Sequence, residues 1–324
     1  MQYVGIHTQQ ARNNFRSILL LCLFPCLVLL LTFLFCILLA LFSADSSGAL
    51  NIWEQSQLSI RQLAPFLLGG VAIWFVIAYY ANTSIIQFLT GSRPLERKEN
   101  KRVYNLVENL CMSQGMPMPK VNVIEVPTLN AFACGINDRT YTIGLTRGII
   151  NELDDEELEA VIAHELSHIR NRDVRLLIIS IVFVGLFAML SQIASRSLRF
   201  VPIRNRGNNK NGAGVLVIIL ITLVVASIGY FFARLMRFAI SRSREYMADA
   251  GSAEMTRHPW ALASALRKIS QNSDIESVTR EDVSQLFIEH PCKEETNKQF
   301  LSGNSDLFAT HPPIEKRIAL LEQF

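Results

Sequence analysis

The sequence predicts a mainly α membrane protein carrying an α+β domain with a small β-sheet. Three observations predict it: four charge-free apolar runs, three short strand-like segments between residues 121 and 145, and helical patterns on either side of them. Half of the 324 residues are apolar and the mean hydropathy is positive, which is unusual for a soluble chain of this length.

The first two runs, residues 17–44 and 62–92, define an N-terminal anchor over residues 1–90, with transmembrane helices at about 18–42 and 64–89. The apolar core of the first, about 25 residues, exceeds the roughly 7–15 of a signal-peptide core, so it reads as a retained helix. Arg12 and Arg16 precede it, and Arg61 stands almost alone between the two helices. Arg93, Arg97, Lys98, Lys101 and Arg102 follow the second. The positive-inside rule therefore places the chain start and the region after residue 90 in the cytosol.

A linker helix over 95–113 comes next, broken by Gly115, Pro117 and Pro119. Residues 121–126 alternate as a half-buried strand. Residues 130–135 offer a second strand, and 140–145 a third after the Asn137-Asp138 turn. The second strand has two readings: a buried core strand, or a sheet edge along which an extended substrate pairs by its backbone.

The following helix opens with Asp154, Asp155, Glu156 and Glu157, where Asp154 and Glu157 read as a capping box and the carboxylates suit the dipole end. Val161, Ile162, Leu166 and Ile169 form its buried stripe. On it lies His164-Glu165-Leu166-Ser167-His168. Histidines four apart stack on one face and can grip one zinc ion, while Glu165 between them can act as base on a water activated by that metal. This is the H-E-x-x-H arrangement of zinc peptidases, so the domain is of zincin type. The bland alternative is an amphipathic helix with surface histidines.

The third and fourth runs, 176–195 and 211–233, flank a loop carrying Arg196, Arg199, Arg204, Arg206 and Lys210. Their opposite ends carry Arg170, Arg172, Arg175, Arg234, Arg237, Arg242 and Arg244, so the charge bias is seven against five. Two full spans are the first reading, and a hairpin buried part-way with its basic tip at the headgroups is the second.

Catalytic zinc uses three protein ligands and one open position. Residues 169–174 lack the Gly and His of the extended metzincin motif, so the third donor is distant. Glu245 and Asp249, four apart in a helical stretch, share a face. Glu245 can bind zinc, a gluzincin-like arrangement, while Asp249 accepts a proton-bearing nitrogen of His164 or His168. On spacing alone, an ordinary solvated face fits the pair as well. A downstream ligand requires an even number of crossings between 174 and 233.

HELSH, the hydrophobic hairpin and the SRSREYMADAGSA stretch resemble the HtpX family of membrane zinc metalloproteases, relatives of the CAAX prenyl endoproteases. Asn130-Ala131-Phe132-Ala133-Cys134-Gly135 is similar to that family's NAFA(T)G strand, and Thr310-His311-Pro312-Pro313 with Arg317 to its THPPxxxR terminus. Cys134 stands where many relatives carry Thr, a departure that leaves the metal site untouched. The likeness covers nearly the whole chain. It implies one Zn2+ per chain on His164, His168 and Glu245, with Glu165 as general base and Asp249 as a support. His311 and Arg317 resemble positions that stabilise the tetrahedral intermediate. Asn130, Ala131, Phe132 and Ala133 would bind substrate. From the residues alone, His311 is a loop residue leading a helix at Ile314, Ile318 and Leu321. The resemblance also implies a stress-response role in quality control of damaged membrane proteins, at a bacterial cytoplasmic (inner) membrane.

The expectation is a membrane-anchored zinc metalloendopeptidase whose peptidase domain is assembled from residues 91–173 and 234–324, with 174–233 between them. Its partners are protein or peptide substrates, membrane proteins among them, and the lipid bilayer. Net charge is only +3 and the basic residues cluster at membrane edges, which argues against nucleic acid. An intramembrane protease is a poor fit because the acidic lead-in to HELSH would not sit in lipid. A non-catalytic zinc-binding membrane scaffold or adaptor has no need of Glu165. The six cysteines form no C-x-x-C pair, which suits a reducing cytosol. His7, His258 and His290 read as surface or capping residues, and residues 271–307 suggest no role.

Overall fold

A computed structural model describes residues 6–43, 49–200, 218–231, 242–272, 287–288 and 312–323. In chain order the elements are α1 (Ile6–Ser43), α2 (Ala49–Thr90), β1 (Arg93–Pro94), α3 (Lys101–Gln114), β2 (Lys120–Ile124), β3 (Ala131–Cys134), β4 (Thr142–Thr146), α4 (Arg147–Glu152), α5 (Asp155–Arg170), α6 (Asp173–Phe200), α7 (Ile218–Phe231), α8 (Arg242–Thr256), α9 (Pro259–Ile269) and α10 (Ile314–Leu321). The chain is mostly helical with one small mixed sheet. It forms two compact units.

One unit comprises residues 18–78 and 179–236. The stretches Ala11–Leu41 and Ile52–Thr90 are both long and apolar enough to cross a membrane. Leu30, Leu41, Phe66 and Ile73 are exposed on these helices, an arrangement suited to lipid contact. Inside the unit, Phe24 is fully buried and meets Phe75 and Phe187 edge-on, with centroids 5.7 and 5.6 Å apart. Both long helices start well before their apolar runs, because polar residues with adequate helix propensity extend them. Among the described residues, α7 is shorter than a span, and the apolar run of 211–233 continues outside them.

The other unit comprises residues 1–17, 79–178 and 237–324. Its sheet has the order β1-β2-β4-β3: β2 and β4 run parallel in the centre, and β1 and β3 are antiparallel to them. Val123 pairs with Leu145, and Leu145 in turn with Ala131. Nearly every residue of β2, β3 and β4 is buried, which is how strands covered on both faces read, while both residues of the edge strand β1 are exposed.

Residues 95–100 do not join α3 as the sequence suggests. Leu95 donates instead to the Val121 carbonyl at 2.9 Å, and Asn100 caps the helix by accepting from the Val103 amide. The two residues of β1 include a proline, tolerable only at a sheet edge, so no strand pattern announces them. At the other end Gly115, with φ of 62°, closes α3 through bonds to the Cys111 and Met112 carbonyls.

Helix α5 is central, packing against α3, α8, α9 and strands β3 and β4. Its capping box forms as read: the Asp154 carboxylate accepts from the Glu157 amide at 2.8 Å, and Glu157 accepts from the Asp154 amide at 3.1 Å. Helix α8 approaches α5 closely because Gly251 has no Cβ; one built there would sit 2.1 Å from Ser167 Oγ. Beside it Ser252 Oγ donates to the Ala160 carbonyl at 2.6 Å. Two small residues thus set the distance between the helices that carry the polar cluster below.

Candidate metal centre

The inner face of α5 presents His164, Glu165 and His168, and α8 presents Glu245 and Asp249. The Nε2 atoms of the two histidines are 3.2 Å apart. Glu245 places Oε2 3.7 Å from His164 Nε2 and Oε1 3.7 Å from His168 Nε2. One ligand atom from each of the three residues lies within 4.8 Å of the others. A tetrahedral ion about 2.0–2.1 Å from each donor needs donors about 3.3 Å apart, so this set fits a metal such as zinc. The site is enclosed: His164 is fully buried, and Glu165 and Glu245 nearly so.

Each imidazole turns its other nitrogen to a carboxylate. His164 Nδ1 faces Asp249 Oδ1 at 3.0 Å. Behind Asp249 the fully buried Arg317 forks onto both oxygens, Nε to Oδ2 at 2.9 Å and Nη2 to Oδ1 at 2.7 Å. Arg317 also lies 3.8 Å from Glu245 and donates through Nη1 to the Ile288 carbonyl at 3.1 Å. His168 Nδ1 faces Asp173 Oδ2 at 3.3 Å. Sequence reasoning missed Asp173; an acid five positions after the second histidine, opening the next helix, was the available signal.

The electrostatics follow from burial and neighbours. Burial pushes the Glu165 carboxyl up to about 8; Glu245 adds to the rise, while His168 and Arg317 oppose it. Burial also lowers His164 to about 4, with the Asp249 contact working against that fall. Burial alone would raise Asp249, but the Arg317 and His164 interactions leave it lowered. For His168 burial works downward, yet Glu245 and Asp173 leave it raised.

The Glu165 pKa is raised in the fold above its unfolded value of about 4.3, so the fold favours the protonated carboxyl. That contribution is complete below pH about 4.3 and is lost as pH rises through about 8. With chelator present, wild type should therefore lose thermal stability from pH 5 to 8.5 relative to Glu165→Gln, which has no such proton to lose. Parallel melting profiles for the two proteins across that range would contradict the assignment.

Asn130, Ala131, Phe132 and Ala133 are all buried, on and just before the edge strand β3. Thr146 fixes the start of this strand: its hydroxyl accepts from the Asn130 amide and donates to the Asn130 carbonyl, both at 3.0 Å. Ala133 lines a small cavity with Glu165, His168, Glu245, Phe287 and Ile288. The free edge is partly taken. Phe287 forms an antiparallel bridge to Phe132, and the Ile288 amide donates to the Ala131 carbonyl at 2.8 Å. Burial drives the Cys134 thiol up to about 12, which favours its protonated form.

His311 and His290 lie outside the described residues. His258 occupies the cap position of α9 and stacks on Trp260, with centroids 4.9 Å apart.

A fully buried imidazole, a partly buried one and a carboxylate closing on one point are donors for a metal. A further acid beside them, outside the donor set, is what hydrolysis requires and mere metal storage does not. In a chain with two membrane-length helices, this defines a membrane-anchored metallopeptidase. The chain belongs to peptidase family M48, whose family model matches residues 97–324. The Protease HtpX homolog of Bacteroides fragilis (strain YCH46) is 65% identical over 325 residues, covering 100% of both chains. That of Dictyoglomus thermophilum (strain ATCC 35947 / DSM 3960 / H-6-12) is 41% identical over 265 residues, covering 79% of this chain and 83% of its own. Among solved structures, S. mikatae Ste24p is similar at a TM-score of 0.47 and 18% identity, over 90% of this chain and 62% of that chain.

Proposed function

We propose that this chain is a zinc-dependent endopeptidase in which His164, His168 and Glu245 hold one zinc ion and Glu165 is the general base. The observation that carries this reading is the convergence of three donor atoms within 4.8 Å beside a buried carboxyl outside the donor set. Bound there, zinc supplies Lewis acidity, making water acidic near neutral pH and polarising a substrate carbonyl. Glu165 takes the proton from the attacking water and returns it to the leaving amine nitrogen. Asp249 holds the His164 ring with Nε2 toward the metal, and Arg317 holds Asp249. In this reading Arg317 acts chiefly through that carboxylate, and His311 is the donor to the developing oxyanion.

Substrates are extended protein segments pairing with the edge of Asn130, Ala131, Phe132 and Ala133. Because Phe287 and Ile288 already pair there, an incoming chain either continues the ladder from Ala133 or displaces them. The domain is zincin-type and gluzincin-like, formed by residues 91–173 and 234–324, and the 174–233 segment adds two further spans. The basic residues around the first two helices support a cytosolic face at a bacterial inner membrane. There the enzyme would clear damaged membrane proteins as part of a stress response.

The test uses the full chain in lipid nanodiscs with an unfolded protein substrate. Chelation should abolish cleavage and stoichiometric zinc should restore it. Undiminished cleavage by protein shown to be free of metal would contradict the proposal.

A further inference from the structure

The support for His168 leads to the first helix. Asp173 is almost wholly buried and presents Oδ2 to His168 Nδ1, 3.3 Å away. Its other oxygen, Oδ1, accepts from Asn13 Nδ2 at 2.5 Å. The same amide nitrogen donates to the Asn171 carbonyl at 2.9 Å. Asn13 is fully buried, and its part of α1 belongs to the compact unit that holds the metal centre. The two acceptors bracket Arg172, whose φ of 61° turns the chain sharply from α5 into α6. One side-chain amide therefore clasps the turn that aims Asp173 at the histidine.

A buried amide is costly unless its hydrogen bonds are made, and the first helix becomes charge-free and apolar only a few residues later. An apolar residue at position 13 would avoid that cost but would leave Asp173 Oδ1 and the Asn171 carbonyl without this donor. The amide has another use, because metal-bound histidines depend on a partner at the distal nitrogen to fix ring orientation. Asp249 has its own fixture in Arg317; Asp173 has Asn13.

We propose that Asn13 and Asp173 are positioning residues for the metal centre: Asn13 fixes the Asp173 carboxylate, which orients His168, so that the start of the anchor helix completes a site whose ligands all lie elsewhere. The peptidase segment thus contains every donor and still lacks one part of its support.

This inference rests on zinc binding at His164, His168 and Glu245, and the experiment separates the two. Zinc dissociation constants are measured by competition against a chelating dye for the full-length wild type, Asn13→Ala, Asp173→Asn and the double variant, with metal-free melting temperatures alongside. Loss of Asp173 or of its amide partner should weaken zinc 10- to 100-fold, as outer-sphere changes do. The double variant should be no weaker than Asp173→Asn alone, since Asn13 acts through Asp173. Ser17→Ala, which removes only a hydroxyl bonded to the Asn13 carbonyl within the same helix, should bind zinc as wild type does. Should Asn13→Ala not fold, Asn13→Gln, which keeps an amide but displaces it, replaces it and should show the same weakening. Unchanged affinity in Asp173→Asn or in the Asn13 variant, or additive losses in the double, overturns the relay. Absence of zinc binding in wild type overturns the underlying site instead.

Discussion

Glu165→Gln should lower kcat/KM for an unfolded protein substrate by roughly 10²- to 10⁴-fold or more while zinc stays bound at wild-type affinity. Gln matches Glu in size but cannot take a proton from water, so the change removes the base and leaves the cavity filled. The buried carboxyl makes no hydrogen bond that an amide must break among the described interactions, and its charge is already disfavoured by burial and by Glu245. Metal retention is therefore the expected accompaniment of lost turnover. Activity and zinc content read on the same preparations check this. Equal cleavage by wild type and variant would place the base elsewhere.

Glu245→Ala should release zinc by far more than the 10- to 100-fold expected of Asp249→Asn. The first change deletes the anionic donor that, among the described residues, faces both Nε2 atoms, leaving two imidazoles 3.2 Å apart as the remaining donors. The second leaves the three donors in place and weakens only what holds the His164 ring. The order of the two losses separates a ligand from its support, and equilibrium dialysis against buffered zinc measures it. Full occupancy in Glu245→Ala would remove that residue from the coordination set.

How much was legible depended on the range of each interaction. Helix α5 was readable from its capping box to its His-Glu-x-x-His face, because both are patterns of neighbours three and four apart. Glu245 was readable for the same reason, as one of two acids on a single helical face. The helix-to-helix distance was foreshadowed only by the small residues Gly251 and Ser252, whose use emerges when α8 lies against Ser167 and Ala160. The fork of Arg317 on Asp249, 68 positions away, and the clasp of Asn13 on Asp173, 160 positions away, leave no local periodicity at all. The edge pairing of Phe287 and Ile288 is similar, because it joins them to a strand far upstream in the chain. Sequence patterns reveal which side chains share a face, whereas tertiary packing decides what that face meets.

The central claim is one metal held between α5 and α8. Anomalous diffraction at the zinc edge from crystals of the full-length protein tests it most directly. A single strong peak should lie within about 2.0–2.2 Å of His164 Nε2, His168 Nε2 and a Glu245 carboxylate oxygen. A fully zinc-loaded crystal with no peak there, or with Glu245 turned away from the ion, would contradict the account.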